Sequence, residues 1–152
     1  MRGTIPSSAL LVASAIVNVV LPNPFDNTWH GYKEVRSGAH MFWWFHKADA
    51  SDYTTKPLVI WIQGGPAESG EIGYFFEFGK YNEKMETRVN YWEQHANILI
   101  FDSPVGTGFS YVDNKNKLAT TVSTTVNDLY TLIVHLYTTY PAWRVRMGFL
   151  QL

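Results

Sequence analysis

The sequence contains no cysteine, which excludes a disulfide framework and a thiolate metal site but does not by itself place the compartment. Charge is sparse as well. Charged residues make up 16% of 152 positions and the formal net charge is −1, so nothing electrostatic points to nucleic acid or an anionic membrane as a partner. No Asn-x-Ser/Thr sequon occurs. The longest apolar run, Ala9 to Leu21, is interrupted by Ser14 and Asn18 and falls short of the ~20 residues of a membrane span. No Gly-x-Ser-x-Gly motif is found, and no histidine is spaced with carboxylates as a metal ligand would be. Neither a metal nor a cofactor is expected.

Aromatic residues are abundant: six Trp, nine Tyr and nine Phe in a chain that is 46% hydrophobic. One globular domain with a substantial core accommodates these numbers, and flat apolar surface stays uncovered if the chain is part of a larger fold. Residues 1–21 carry one early positive charge at Arg2, an apolar centre and small residues at Ala13-Ser14-Ala15. This fits a secretory signal peptide; a buried terminal strand or helix is the other reading.

The chain is organised around Pro57 to Gly73, PLVIWIQGGPAESGEIG. Leu58 to Ile62 is a short apolar run with β-branched and aromatic members, as in a strand buried on both faces. Gly64-Gly65-Pro66 follows at once and turns the backbone at the carboxyl end of that strand. Bare N–H groups there suit an oxyanion hole, and a plain tight turn out of a core strand is the competing reading.

On the amino-terminal side, Tyr32, Glu34 and Arg36 alternate with Lys33, Val35 and Ser37. A turn at Ser37-Gly38 then leads into the aromatic strand Met41 to Phe45, predicting an antiparallel hairpin. His40 and His46 flank that second strand and read as structural or surface histidines. Ala48 to Lys56 is a polar loop. On the carboxyl side, Glu77 lies among Tyr74, Phe75, Phe76 and Phe78. There it either is buried, holding its proton to higher pH, or points outward. Residues 80–91 are charged and irregular, and Ala96 to Asp102 predicts a second buried strand. Asp102, at its end, is either catalytic by position or the cap of its own turn. The spacing predicts a helix over Thr120 to Tyr140, with Val126, Leu129, Leu132, Ile133, Leu136 and Tyr140 on its apolar stripe. Asp128 lies early, on the dipole's favourable side, His135 beside the stripe is structural, and Pro141 ends the helix. Strands and hairpin with one helix layer make an incomplete α/β unit.

Several ordered blocks carry a resemblance: Trp61-Ile62-Gln63-Gly64-Gly65-Pro66, then Phe76-Glu77-Phe78-Gly79, then Trp92, then Phe101-Asp102-Ser103-Pro104-Val105-Gly106-Thr107-Gly108-Phe109-Ser110-Tyr111. Over about residues 28–143 the chain resembles serine carboxypeptidases of the α/β-hydrolase fold. Gly38-Ala39-His40-Met41-Phe42-Trp43-Trp44 is similar to their retinoid-inducible and vitellogenic-like branch. The resemblance implies an incomplete α/β-hydrolase fold over 22–143, holding the amino-terminal strands of the central sheet plus one or two helices. It also implies a secreted or lysosomal enzyme that releases C-terminal residues of peptides at acid pH through a Ser-Asp-His triad. The backbone N–H of Gly65 would be an oxyanion donor, and Gln63, the N–H of Gly64 and Glu77 would bind the substrate carboxylate. Gln63 stands where many relatives have Asn. Glu77 matches an acid that shares a proton with a second glutamate, which accounts physically for an acid optimum.

The sequence also departs from the family. Relatives carry the nucleophile in a Gly-Glu-Ser-Tyr-Gly elbow on the strand after the helix ending near Tyr140, and no such motif is present. After Trp143 the text RVRMGFLQL no longer follows the family, so 144–152 reads as a divergent tail, and the triad is expected beyond Leu152. Glu68-Ser69-Gly70 belongs to the glycine turn and not to an elbow, and no base is evident beside Ser69. The family's Gly-Pro-Gly-x-Ser-Ser loop is altered to Pro66-Ala67-Glu68-Ser69-Gly70, which would disturb the oxyanion hole and bring a negative charge near it. The expectation is a serine carboxypeptidase fragment, inactive alone. The alternative is a non-catalytic secreted protein that binds peptides through a free carboxylate. Neither reading involves nucleic acid or membrane, and the oligomeric state is left open.

Overall fold

A computed structural model describes residues 26–65 and 67–144 and the backbone of 147–150; the expected signal segment, 1–21, lies outside the described residues. In chain order the elements are β1 (Thr28–Arg36), β2 (Ala39–His46), β3 (Leu58–Ile62), α1 (Gly70–Gly73), β4 (Asn97–Phe101), β5 (Tyr111–Val112), α2 (Val122–Thr139) and β6 (Met147–Leu150). α1 runs on into a wider π-type turn over Tyr74–Phe78. The expected hairpin, two buried strands and long helix all form.

The sheet order is β1-β2-β4-β3-β6, with the two-residue β5 beside β2. β1, β2 and β4 pair antiparallel, while β4, β3 and β6 pair parallel. The parallel register sets Ile62 against Phe101 and Trp61 against Leu150, so three strands end along one edge, where open α/β sheets place ligands.

Each sheet face buries its own apolar layer, because alternate residues of a strand point to opposite sides. On one face Met41, Trp43, Phe45, Leu58, Ile60, Leu99 and Phe101 pack beneath Leu132 and Leu136 of α2. On the other, Phe42, Trp44, Trp61, Ile98 and Ile100 pack against Tyr74 and Phe78. Leu132 and Leu136 are wholly buried, and each such side chain stabilises the fold by about 1.5–3 kcal/mol.

Two sequence expectations need correction. The first concerns the alternation in β1, which breaks at a bulge: Glu34 pairs with His40 but Arg36 pairs with Ala39, leaving Val35 as the extra residue. Arg36 therefore leaves the face of Tyr32 and Glu34 and turns toward α2. The second concerns the helix, which has Thr121 as N-cap, its hydroxyl accepting from Thr124 N–H at 3.1 Å. Val126 is off the stripe, 55% exposed. Asp128 takes the buried position instead, 1% exposed. Its carboxylate accepts from Arg36 Nε at 2.8 and 3.0 Å, so it fastens the helix to the hairpin and is not a dipole charge in the first turn. Burial pushes the Asp128 carboxyl up despite Arg36 beside it.

Candidate functional site

The residues after β3 stand at the carboxyl edge of the parallel strands. Gln63 is half-buried, and Gly64 and Gly65 are exposed. Gly65 has φ +132, a backbone that favours glycine. Trp61 Nε1 donates to Gln63 Oε1 at 2.8 Å. Because an indole is only a donor, this bond assigns the Gln63 amide: its oxygen is taken, and its NH2 faces outward. That NH2 donates to Glu77 Oε1 at 3.4 Å, a long contact. The structure thus brings Gln63 and Glu77 together beside Gly64 and Gly65. Glu77 takes the outward reading and is exposed.

The segment carrying Glu77 is fixed by Arg88, a residue the sequence did not single out. Its guanidinium donates to the backbone oxygens of Tyr74, Gly79 and Tyr81 at 3.3, 2.7 and 2.9 Å through Nη1, and to that of Phe75 at 2.5 Å through Nη2. One arginine fork here satisfies the carbonyls that a helix leaves open at its carboxyl end.

Glu68 sits over the glycine turn. A Cβ on Gly65 would lie 3.0 Å from Glu68 Cγ. Ser69 is not free to act: its hydroxyl caps α1, accepting from Glu71 N–H at 3.3 Å, and it bonds Glu71 Oε2. Among the described residues, no serine hydroxyl is hydrogen-bonded to a histidine.

Asp102 caps its own turn and does more. It is fully buried, and its Oδ2 accepts from Phe109 N–H at 2.6 Å while Oδ1 accepts from Gly70 N–H at 2.9 Å. Ser110 Oγ donates to its backbone oxygen at 2.6 Å and accepts from Phe42 N–H at 2.8 Å. This hub ties the end of β4, the 104–110 loop and the start of α1 together. Close approach is possible only because position 70 is glycine: a Cβ there would meet Ile100 Cγ2 at 2.2 Å.

The buried acid of this region is Glu71, not Glu77. It is 9% exposed, its Oε1 has no hydrogen-bond partner, and the preceding residue, Gly70, donates its N–H to Asp102. Burial, with Asp102 adding to it, pushes the Glu71 carboxyl up to about 7. Sequence reasoning missed it because an acid in a helix's first turn reads as an exposed dipole partner. Only the close docking of α1 on β4 buries it.

A second polar cluster lies at the opposite, amino end of β4. His46 is 3% exposed and stacks on Tyr74 with ring centres 4.1 Å apart, and its Nδ1 is 3.8 Å from Glu93 Oε1. Burial lowers the imidazole to about 3. Glu93 is pushed up by burial, and Tyr74 is pushed up by burial first and by the nearby Glu93 carboxyl second. His40 instead stacks on Tyr111 at 4.5 Å and meets Asp113 Oδ1 at 3.2 Å near the surface. Both histidines are structural, as expected. Among the described residues, no group of histidines and acids could hold a metal ion, and no helix is long and apolar enough to cross a membrane.

Comparison with known proteins bears on this geometry. The serine carboxypeptidase family model matches residues 21–150. The chain is 40% identical over 105 residues to the retinoid-inducible serine carboxypeptidase of Mus musculus, an alignment covering 67% of this chain and 23% of that protein. It is 33% identical over 128 residues to "Probable serine carboxypeptidase CPVL" of Mus musculus, covering 80% and 27%. The crystal structure of Kex1(delta)p, a prohormone-processing carboxypeptidase from Saccharomyces cerevisiae, superposes with a TM-score of 0.69 at 22% identity over 80% of this chain and 30% of that one. That likeness shows the fold. The chain spans about a quarter of the length of the curated relatives it matches. With this sheet and with Gln63, Gly64, Gly65 and Glu77 at its carboxyl edge, the chain belongs to the serine carboxypeptidase family.

Proposed function

We propose that this chain supplies the carboxylate-recognising part of a serine carboxypeptidase site and not its nucleophile. The observation that carries the reading is the Trp61–Gln63 bond, which turns the Gln63 NH2 toward the exposed Gly64-Gly65 turn and Glu77. A peptide's terminal carboxylate set there would accept from Gln63 and from the N–H of Gly64. The N–H of Gly65 would be left for the carbonyl oxygen of the scissile bond. Glu77, to which the Gln63 NH2 donates at 3.4 Å, would flank the bound carboxylate. The peptides of a secreted or lysosomal compartment fit this use.

Calorimetry of the full 152-residue chain with a short peptide and with its C-terminal amide tests the reading. Binding of the free acid but not of the amide, weakened in Gln63→Ala, is the expected result. Equal affinity for both refutes it.

A further inference from the structure

We propose that the aromatic groove between β1, β2, the π-type turn and the 104–110 loop is a binding site for a primary ammonium group carried on an aromatic or aliphatic body, with the Glu71 carboxylate as its counter-ion. The groove has a volume of about 610 Å³, within the range of small-molecule sites, roughly 300–1,000 Å³. None of Gln63, Gly64, Gly65 and Glu77 lines it, so a ligand here is independent of a carboxylate read at the glycine turn.

Its walls are rings. Tyr32 of β1, Phe42 and Trp44 of β2, Phe75 of the π-type turn and Phe109 of the 104–110 loop line it. Phe42 is central: its ring centre is 5.3 Å from that of Tyr32, 5.1 Å from Phe109 and 6.2 Å from His30, at interplanar angles of 57°, 53° and 40°. Trp44 meets Phe75 at 6.1 Å and 44°. None of these pairs is stacked, so the rings do not cover one another's faces, and a ring face attracts a cation. Tyr32 and Phe109 stay 48% and 59% exposed, part of an open aromatic surface of the kind that marks a ligand site.

The acid in this wall is Glu71. It is buried, one of its carboxyl oxygens is bonded to the Ser69 hydroxyl, and the other has no hydrogen-bond partner. A carboxylate oxygen only accepts, so the missing partner is a donor. Among the described residues, no lysine or arginine lines the groove to supply one; the other titratable groups in its lining are His30 and Tyr32. A carboxylate set among rings favours a charged donor over a neutral one. A quaternary ammonium would suit the rings but brings no N–H, whereas a primary ammonium suits both the rings and the oxygen. The groove is much larger than an ammonium group, so the rest of the ligand is the apolar body that covers Tyr32 and Phe109.

Calorimetry of the full 152-residue chain with phenethylamine and with phenethyl alcohol, its neutral counterpart, tests the site. At about pH 8 the Glu71 carboxyl, raised by burial to about 7, is ionised. The amine should bind about tenfold or more tightly than the alcohol, the factor that a hydrogen bond to a charged group supplies. Glu71→Gln should remove that preference, and Phe109→Ala should weaken both ligands. Equal binding of amine and alcohol, an undiminished preference in E71Q, or an amine affinity unchanged in F109A overturns the proposal. If E71Q does not fold, the amine–alcohol comparison and F109A decide it, because Phe109 is an exposed ring whose loss leaves the core intact. Acetyl-Phe-Lys-amide, which has no free carboxylate, separates the sources of the ammonium. Binding like that of the amine assigns the lysine of a peptide, binding of the small amine alone assigns a free amine, and binding of neither overturns the site. Failure here leaves the free-acid preference at Gln63 untouched, and loss of that preference leaves this site standing.

Discussion

Replacing Gly73 by alanine sets two effects against each other. Gly73 has helical backbone, φ −57 and ψ −43, so intrinsic propensity favours alanine by about 1 kcal/mol. The added Cβ, however, would lie 2.4 Å from Trp61 Nε1 and 2.5 Å from Gln63 Oε1, between the two atoms of the bond that orients the Gln63 amide. Overpacking of this kind costs about 1–3 kcal/mol, and the lost hydrogen bond another 0.5–1.5 kcal/mol or so. Sterics win, and G73A is expected to be less stable by about 2 kcal/mol, the midpoint of these ranges. Urea unfolding followed by tryptophan fluorescence reads the shift in midpoint at unchanged slope. The same variant should lose free-acid peptide binding, because the amide no longer presents its NH2. A G73A chain as stable as the wild type, with the Trp61 indole resonance unmoved, would refute the close packing on which this reasoning depends.

Two further outcomes follow from buried charge. Asp128→Ala leaves Arg36 beneath α2 without its anion and should cost about 3 kcal/mol in urea unfolding, at the lower end for broken buried pairs because Arg36 is partly exposed; the double variant R36M/D128L should cost less than D128A alone. For pH, the signs oppose each other. The imidazole of His46 falls from 6.5 to about 3, so its contribution is full above pH 6.5 and is lost as pH falls toward 3, with a ceiling of about 5 kcal/mol. The Glu71 carboxyl rises from 4.5 to about 7. Its contribution is full below pH 4.5 and is lost as pH rises to 7, with a ceiling of about 3 kcal/mol that the open groove beside it lowers. Urea midpoints across pH should show a flattened acid limb in His46→Phe and a flattened neutral limb in Glu71→Gln; limbs unchanged in both would refute these assignments.

The hairpin, β3, β4 and α2 were legible because each announces itself through local pattern: alternation, an apolar run, or helical spacing closed by Thr121 and Pro141. Gln63, Gly64, Gly65 and Glu77 were legible through resemblance, and the structure adds how Trp61 aims the amide. What stayed hidden depends on contacts far apart in the chain. Nothing near Glu71 in sequence predicts that Gly70 docks within contact of Ile100, and nothing near Asp128 predicts Arg36, 92 residues away. Arg88 lies in a stretch that reads as a solvated loop, yet it closes the turn holding Glu77. β5 and β6 are too short to show a period of their own and exist through pairing with β2 and β3.

The extra residue at Val35 makes chain length, as well as composition, a constraint on this hairpin. Deleting Val35 would remove the bulge yet keep Arg36 opposite Ala39 on the α2 side, so the pair with Asp128 would survive while one buried apolar side chain is lost. The bulge thus gives two consecutive residues to the α2 side, one for the apolar core and one for an acid 92 residues downstream, and Arg36 and Asp128 are expected to change together across homologues whether or not the extra residue is kept.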